Sequence, residues 1–169
     1  MKLLTRKHVD SLALAAASFL AAGFTGWVYE VAITWAALGE YVPRGFLPVP
    51  VLPIYGVFAL VLPLFFKDDT PWYKVFIWST IVSTVFELVC SYIIDAVLGY
   101  RLWDYSLWPL NFEERISLFS SLIFGALAVL FRKGIYPLLK RLQDRNTNVF
   151  GITAAAVLVI IAAIALIRR

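Results

Sequence analysis

The chain has 169 residues, of which 62% are hydrophobic and 15% charged, and its mean hydropathy is +0.83. Soluble domains carry about 25% charged residues, so this composition excludes an ordinary soluble domain and fits an all-α, polytopic transmembrane helix bundle of about five spans. The net charge of +4 gathers in a few loops, which reads as membrane orientation rather than nucleic-acid binding. One cysteine, Cys90, allows no intrachain disulfide and fits no paired metal-site spacing.

A basic tail, Met1–Asp10 with Lys2, Arg6 and Lys7, precedes an Ala-rich apolar run from Ser11 to about Leu38. The start imitates a secretory signal peptide with a cleavage point near Ala22, but the apolar run continues past it to spanning length. Ser11, Ala15, Ser18, Ala22, Gly26 and Glu30 share one helical face. Small residues there predict close helix packing, with Glu30 extending the same face toward the interior. The loop Gly39–Pro53 holds prolines 43, 48, 50 and 53, which forbid a regular helix. It is nevertheless mostly apolar, so it can enter a membrane only where protein covers it.

A short span follows, from about residue 50 to Phe66, with Pro63 kinking or ending it. Lys67–Lys74 is a polar turn in which Thr70-Pro71 reads as N-cap and first turn of a helix from Trp72 to Leu98, stopped by Gly99. The aromatic segment from Tyr100 to Phe112 comes next. Glu113, Glu114 and Arg115 are then expected to open a fourth helix to about Phe131, its first-turn acids complementing the macrodipole. Ser117, Ser121 and Gly125 form a small-residue stripe on it. Arg132–Arg145 reads as a basic connection, and residues 149–167 as a last span ending in Arg168-Arg169. All of this is expected to form a single integral membrane domain, residues 1–169.

The third helix carries the informative pattern. Thr80, Ser83, Thr84, Glu87, Ser91 and Asp95 recur at three- or four-residue steps and fall on one face. A carboxylate at bilayer depth costs about 2.5–3.5 kcal/mol on insertion scales, so that face must be turned inward. It is expected to line a polar pocket roofed by the aromatic segment. With the N-terminus inside and the C-terminus outside, ten of the fifteen basic residues lie on the inner side: Lys2, Arg6, Lys7, Lys67, Lys74, Arg132, Lys133, Lys140, Arg141 and Arg145. The proline loop and the aromatic segment then share the outer side.

The candidate ligand-binding residues are Glu30, Arg44, Glu87, Asp95, Trp103, Asp104, Tyr105, Asn111 and Arg115, with Arg101 beside them. Two readings stand. The acids and guanidinium groups pair with one another and hold the bundle together, or they line a pocket for a polar or lipid head-group ligand. Trp108 reads as an interfacial belt residue and His8 as part of a solvated tail. No nucleophile, phosphate-binding glycine loop, cofactor motif or transition-metal cluster stands out.

The pieces Gly26-Trp-Val-Tyr-Glu30, Arg44-Gly-Phe-Leu, Pro53-Ile-Tyr-Gly56, Phe86-Glu87, Trp103-Asp-Tyr-Ser106, Asn111-Phe112 and Arg115-Ile-Ser-Leu resemble bacterial membrane proteins labelled "putative ABC-transporter permease" (CmpB-type). A small eukaryotic transmembrane family shares some of them. The motifs cover roughly residues 20–130, with the last span outside. In that pattern glycine usually stands where this chain has Val49 and Glu114. The resemblance implies a transport component in the bacterial cytoplasmic membrane and adds Tyr55 to the ligand-binding candidates. The expected partners are membrane lipids, a second copy of the chain or a separate ATPase subunit, and no nucleic acid. Two other functions remain open: a membrane enzyme acting on a lipid or lipid-linked substrate with Glu30 and Glu87 as acid and base, and a structural or assembly subunit.

Overall fold

The computed structural model describes residues 6–45 and 47–167. Lys2, Phe46, Arg168, Arg169 and the side chains of Arg6 and Lys7, all invoked above, lie outside that description. Six α-helices run as α1 (Arg6–Leu38), α2 (Pro53–Phe65), α3 (Trp72–Leu98), α4 (Leu118–Val129), α5 (Tyr136–Arg145) and α6 (Thr147–Ile167). A two-residue hairpin, β1 (Asn111–Phe112) and β2 (Ile116–Ser117), precedes α4. Among the described residues, four helical stretches are long and apolar enough to cross a membrane: His8–Leu38, Trp72–Leu98, Leu118–Arg145 and Thr147–Ile167. The 13 residues of α2 rise about 20 Å, short of a hydrocarbon core of about 30 Å. The chain is a multi-pass, all-α membrane protein built as two compact units, residues 1–65 with 134–169 and residues 66–133.

In the first unit α1 packs on α2, α5 and α6. The small-residue face of α1 does what its composition implies. Ser18, Ala22 and Gly26 are buried, and a Cβ at position 26 would stand 2.3 Å from two Tyr55 ring carbons. That lack of a side chain is what lets α2 lie against α1. The proline loop is covered only at its end, and Tyr41, Pro43, Pro48 and Pro50 are exposed. Val51 and Leu52 are buried, and the Leu52 N–H donates to the Gly23 carbonyl at 3.0 Å.

In the second unit α3 packs on α4 along the polar row. Val75, Ser79, Ser83, Glu87 and Ser91 are its buried residues, at steps of four. On α4 the facing stripe is Ser120, Ser121, Gly125 and Ala128. A Cβ at Gly125 would stand 3.0 Å from the Phe76 carbonyl oxygen and closer still to the Thr80 hydroxyl. The Thr84 hydroxyl donates to Ser121 Oγ at 2.7 Å, a hydrogen bond between the helices. Gly99 closes α3 in the left-handed region, its N–H reaching the Asp95 carbonyl.

Three local expectations are corrected. Pro71, not Thr70, is the N-cap of α3, and no side chain caps it; the Pro71 carbonyl accepts from Lys74 and Val75 instead. Glu113 and Glu114 do not open α4. They are the central residues of the β1–β2 turn, with φ of 49° and 60°. The cap of α4 is Ser117, which forms a reciprocal capping box with Ser120.

Arg132–Arg145 is helical rather than a basic connection. It comprises a π-helical turn, Leu130–Ile135, and then α5. Pro137 explains the wide turn: it offers no N–H, and its ring would strike the Lys133 carbonyl four residues back in a regular helix.

Candidate functional site

The aromatic segment is fixed first by its own backbone. Asp104 Oδ1 accepts the Ser106 N–H at 2.6 Å, and the Tyr105 carbonyl accepts the Trp108 N–H at 2.9 Å. Asn111 bridges the segment, donating to the Trp108 carbonyl at 2.9 Å and accepting the Glu114 N–H at 3.2 Å. Asp104 and Asn111 therefore shape the loop. The Ser106 N–H stabilises the charged form of Asp104 and holds its carboxyl below the usual range, with the Arg101 charge acting the same way.

The hairpin then ties this loop to α3. The Tyr105 N–H donates to the Glu114 carbonyl at 2.8 Å, and Trp103 Nε1 donates to the Arg115 carbonyl at 2.9 Å. Two anchors reach the polar row of α3. The Tyr105 hydroxyl donates to Glu87 Oε1 at 2.7 Å, where Glu87 is only 4% exposed. Arg115, 7% exposed, donates from Nη1 to Ser91 at 2.9 Å and from Nη2 to Asp95 at 2.6 Å. Its guanidinium lies 4.2 Å from the centroid of the Tyr92 ring, a cation–π contact. The Tyr92 hydroxyl in turn donates to Glu113. Asp95 raises the Arg115 pKa further by accepting its hydrogen bond, so this guanidinium stays charged.

At the rim, Arg101 pairs with Glu114 at 3.0 Å and approaches Asp95 at 3.9 Å. Tyr105 and Trp108 meet edge to face at 5.5 Å between centroids. Within the second unit, then, Glu87, Asp95, Trp103, Tyr105 and Arg115 are tied together along the C-terminal half of α3. Asp104 and Asn111 stand behind them.

The first unit gathers the other three candidates. Arg44 grips Glu30 Oε2 with Nε at 3.1 Å and Nη2 at 3.0 Å, and the Tyr55 hydroxyl donates to Glu30 Oε1 at 3.1 Å. Both carboxylate oxygens are thus engaged by the proline loop and α2. Glu30 and Glu87 belong to different units, and each has partners of its own.

Sequence reasoning missed three contributors. Tyr92 lies three residues before Asp95 on α3, a spacing that already places the two as neighbours. Glu113 was assigned to a helix start. Arg132, 2% exposed, donates to the Phe66 carbonyl at 3.1 and 2.7 Å and pairs with Asp68 at 2.6 Å. Lys133 joins it on the Asp68 carbonyl at 2.9 Å. This clamp fixes the turn that leads into α3, and no sequence signal announces it.

No curated protein and no solved structure matches this chain. A family model described as "Putative ABC-transporter type IV" matches residues 17–168, and so runs through α6, past the residue-130 limit of the motifs alone. The chain belongs to that ABC-transporter type IV family.

Proposed function

We propose that the protein is a permease-like transport component. In this reading the second unit binds a polar or lipid head-group ligand where the aromatic segment closes over the polar row of α3. The observation that carries it is the reach of Tyr105 from the loop to a buried mid-helix carboxylate, Glu87. Ionisable groups kept at such depth mark ligand or ion pathways more often than they mark packing. Family membership supports the transport class. The first unit's Glu30–Arg44–Tyr55 cluster is a second polar contact of the same kind.

The orientation we favour is N-in and C-out, in the bacterial cytoplasmic membrane, on the loop charges; it requires a fifth crossing, made by α2 together with the apolar residues just before it. The ligand site would then face outward. Energy for transport would come from a separate ATPase subunit, and a second copy of the chain would complete the pathway.

The test is native mass spectrometry of protein released from the membrane. The wild type is expected to retain a small molecule or lipid that Glu87→Gln loses while still inserting and folding. Equal retention by the two would sink this reading. An assembly role is the second reading, favoured by the mutual satisfaction of Arg115, Asp95 and Ser91. Under it, Glu87→Gln shifts oligomeric state or melting and leaves co-purifying molecules unchanged.

A further inference from the structure

We propose that Glu87 is a proton-binding site, loaded and emptied through Tyr105. The argument begins with depth. Glu87 lies 16th among the 27 residues of α3, on its buried face, and α4 (Leu118–Val129) brings no titratable side chain against it. A charge held at that depth is costly, and a bound proton removes the charge.

The partner suits both forms. A tyrosine hydroxyl is donor and acceptor. When Glu87 is ionised, Tyr105 donates to Oε1, as seen. When a proton adds to the carboxylate, the new O–H donates back to the Tyr105 oxygen and the contact survives. A hydronium ion on the loop side gives its proton to the Tyr105 oxygen as the Tyr105 O–H proton passes to Glu87 Oε1, one O–H bond forming as the other breaks, and release to water reverses both transfers.

The charged groups beyond Glu87 on the loop side, Arg115, Asp95 and Glu113, pair with one another. Arg115 spends Nη1 on Ser91, one turn from Glu87, and Nη2 on Asp95, two turns away. An independent observation extends the polar row past Glu87. Ser79, two turns away and 1% exposed, has a hydroxyl with no hydrogen-bond partner among the described residues. Its donor and acceptor are both uncommitted, so the buried polar face keeps hydrogen-bonding capacity on the far side of Glu87 from the loop. The proposal goes beyond the ligand reading, because proton binding is measured with no ligand added and either can fail alone.

The experiment is infrared difference spectroscopy of the full chain in lipid nanodiscs, between acidic and alkaline buffer. The wild type should show a protonated-carboxyl C=O band that moves on H/D exchange. Glu87→Gln should lose that band, and Tyr105→Phe should keep it with a displaced midpoint. If Glu87→Gln does not fold, Glu87→Asp takes its place and must show the band with a changed frequency or midpoint. A band unaltered in the Glu87 variant that folds, or no such band in the wild type, overturns the proposal.

Discussion

Glu114 shows what one residue does against the grain of its backbone. A left-handed φ costs a side-chain-bearing residue about 1–2 kcal/mol, and Glu114 sits at 60°. The glycine that the family pattern usually carries at this position removes that cost. Val49, the other departure, is not among the positive-φ residues, so nothing in the backbone there calls for glycine. Glu114→Gly should therefore stabilise the protein by about 0.5–1 kcal/mol in thermal melts, since the exposed Arg101 pair it gives up is worth little. Asp104 makes a second prediction. Its carboxyl is held below the ordinary value of about 3.9, so the stability it lends is full above that value and is lost as pH falls through the lowered one. Loop tryptophan fluorescence should show an acid transition that Asp104→Asn flattens. Neither conformation was legible in the residues: two acids ahead of an apolar run look the same whether they open a helix or turn a hairpin, because charge pattern does not report φ.

At the scale of the element, α3 was readable almost in full. Hydroxyls and acids at steps of four can only form one face of a helix, and Gly99 marks its end. The seam with α4 rests on close approach at Gly125. Gly125→Val should force the helices apart and destabilise by about 1–3 kcal/mol, seen as a lowered melting temperature with loss of the loop's fluorescence signature. A melt unchanged from wild type would mean that the seam is looser than described. The region after Phe131 was not readable. Five basic residues and a proline resemble a loop, whereas Pro137 is absorbed by one wide helical turn that keeps the chain helical into α5. That turn carries Arg132, which clamps Phe66 and Asp68. A buried arginine among surface-type basic residues has no sequence signature of its own.

For the whole molecule, hydropathy alone gave the class. The long helices leave most of their surface outside the protein, and only 6% of the apolar window of Thr147–Ile167 is buried. Lipid is the surrounding such faces require. Orientation rests on charge and is open to a direct check. Cysteines introduced at Pro48 and Leu107, both exposed positions, should react with an impermeant thiol reagent on intact cells. Reaction only after permeabilisation would invert the proposed topology. The residues of the candidate site were legible, but not which of them meet one another: Asp104 and Asn111 hydrogen-bond within the loop, whereas Tyr105 and Arg115 make the contacts with α3. The central claim, that the loop closes on an intramembrane carboxylate, is tested most directly by a double-mutant cycle of Glu87→Gln and Tyr105→Phe, read as unfolding free energy in detergent. The contact at 2.7 Å predicts a coupling of about 1–2 kcal/mol; strictly additive effects of the two substitutions would contradict it.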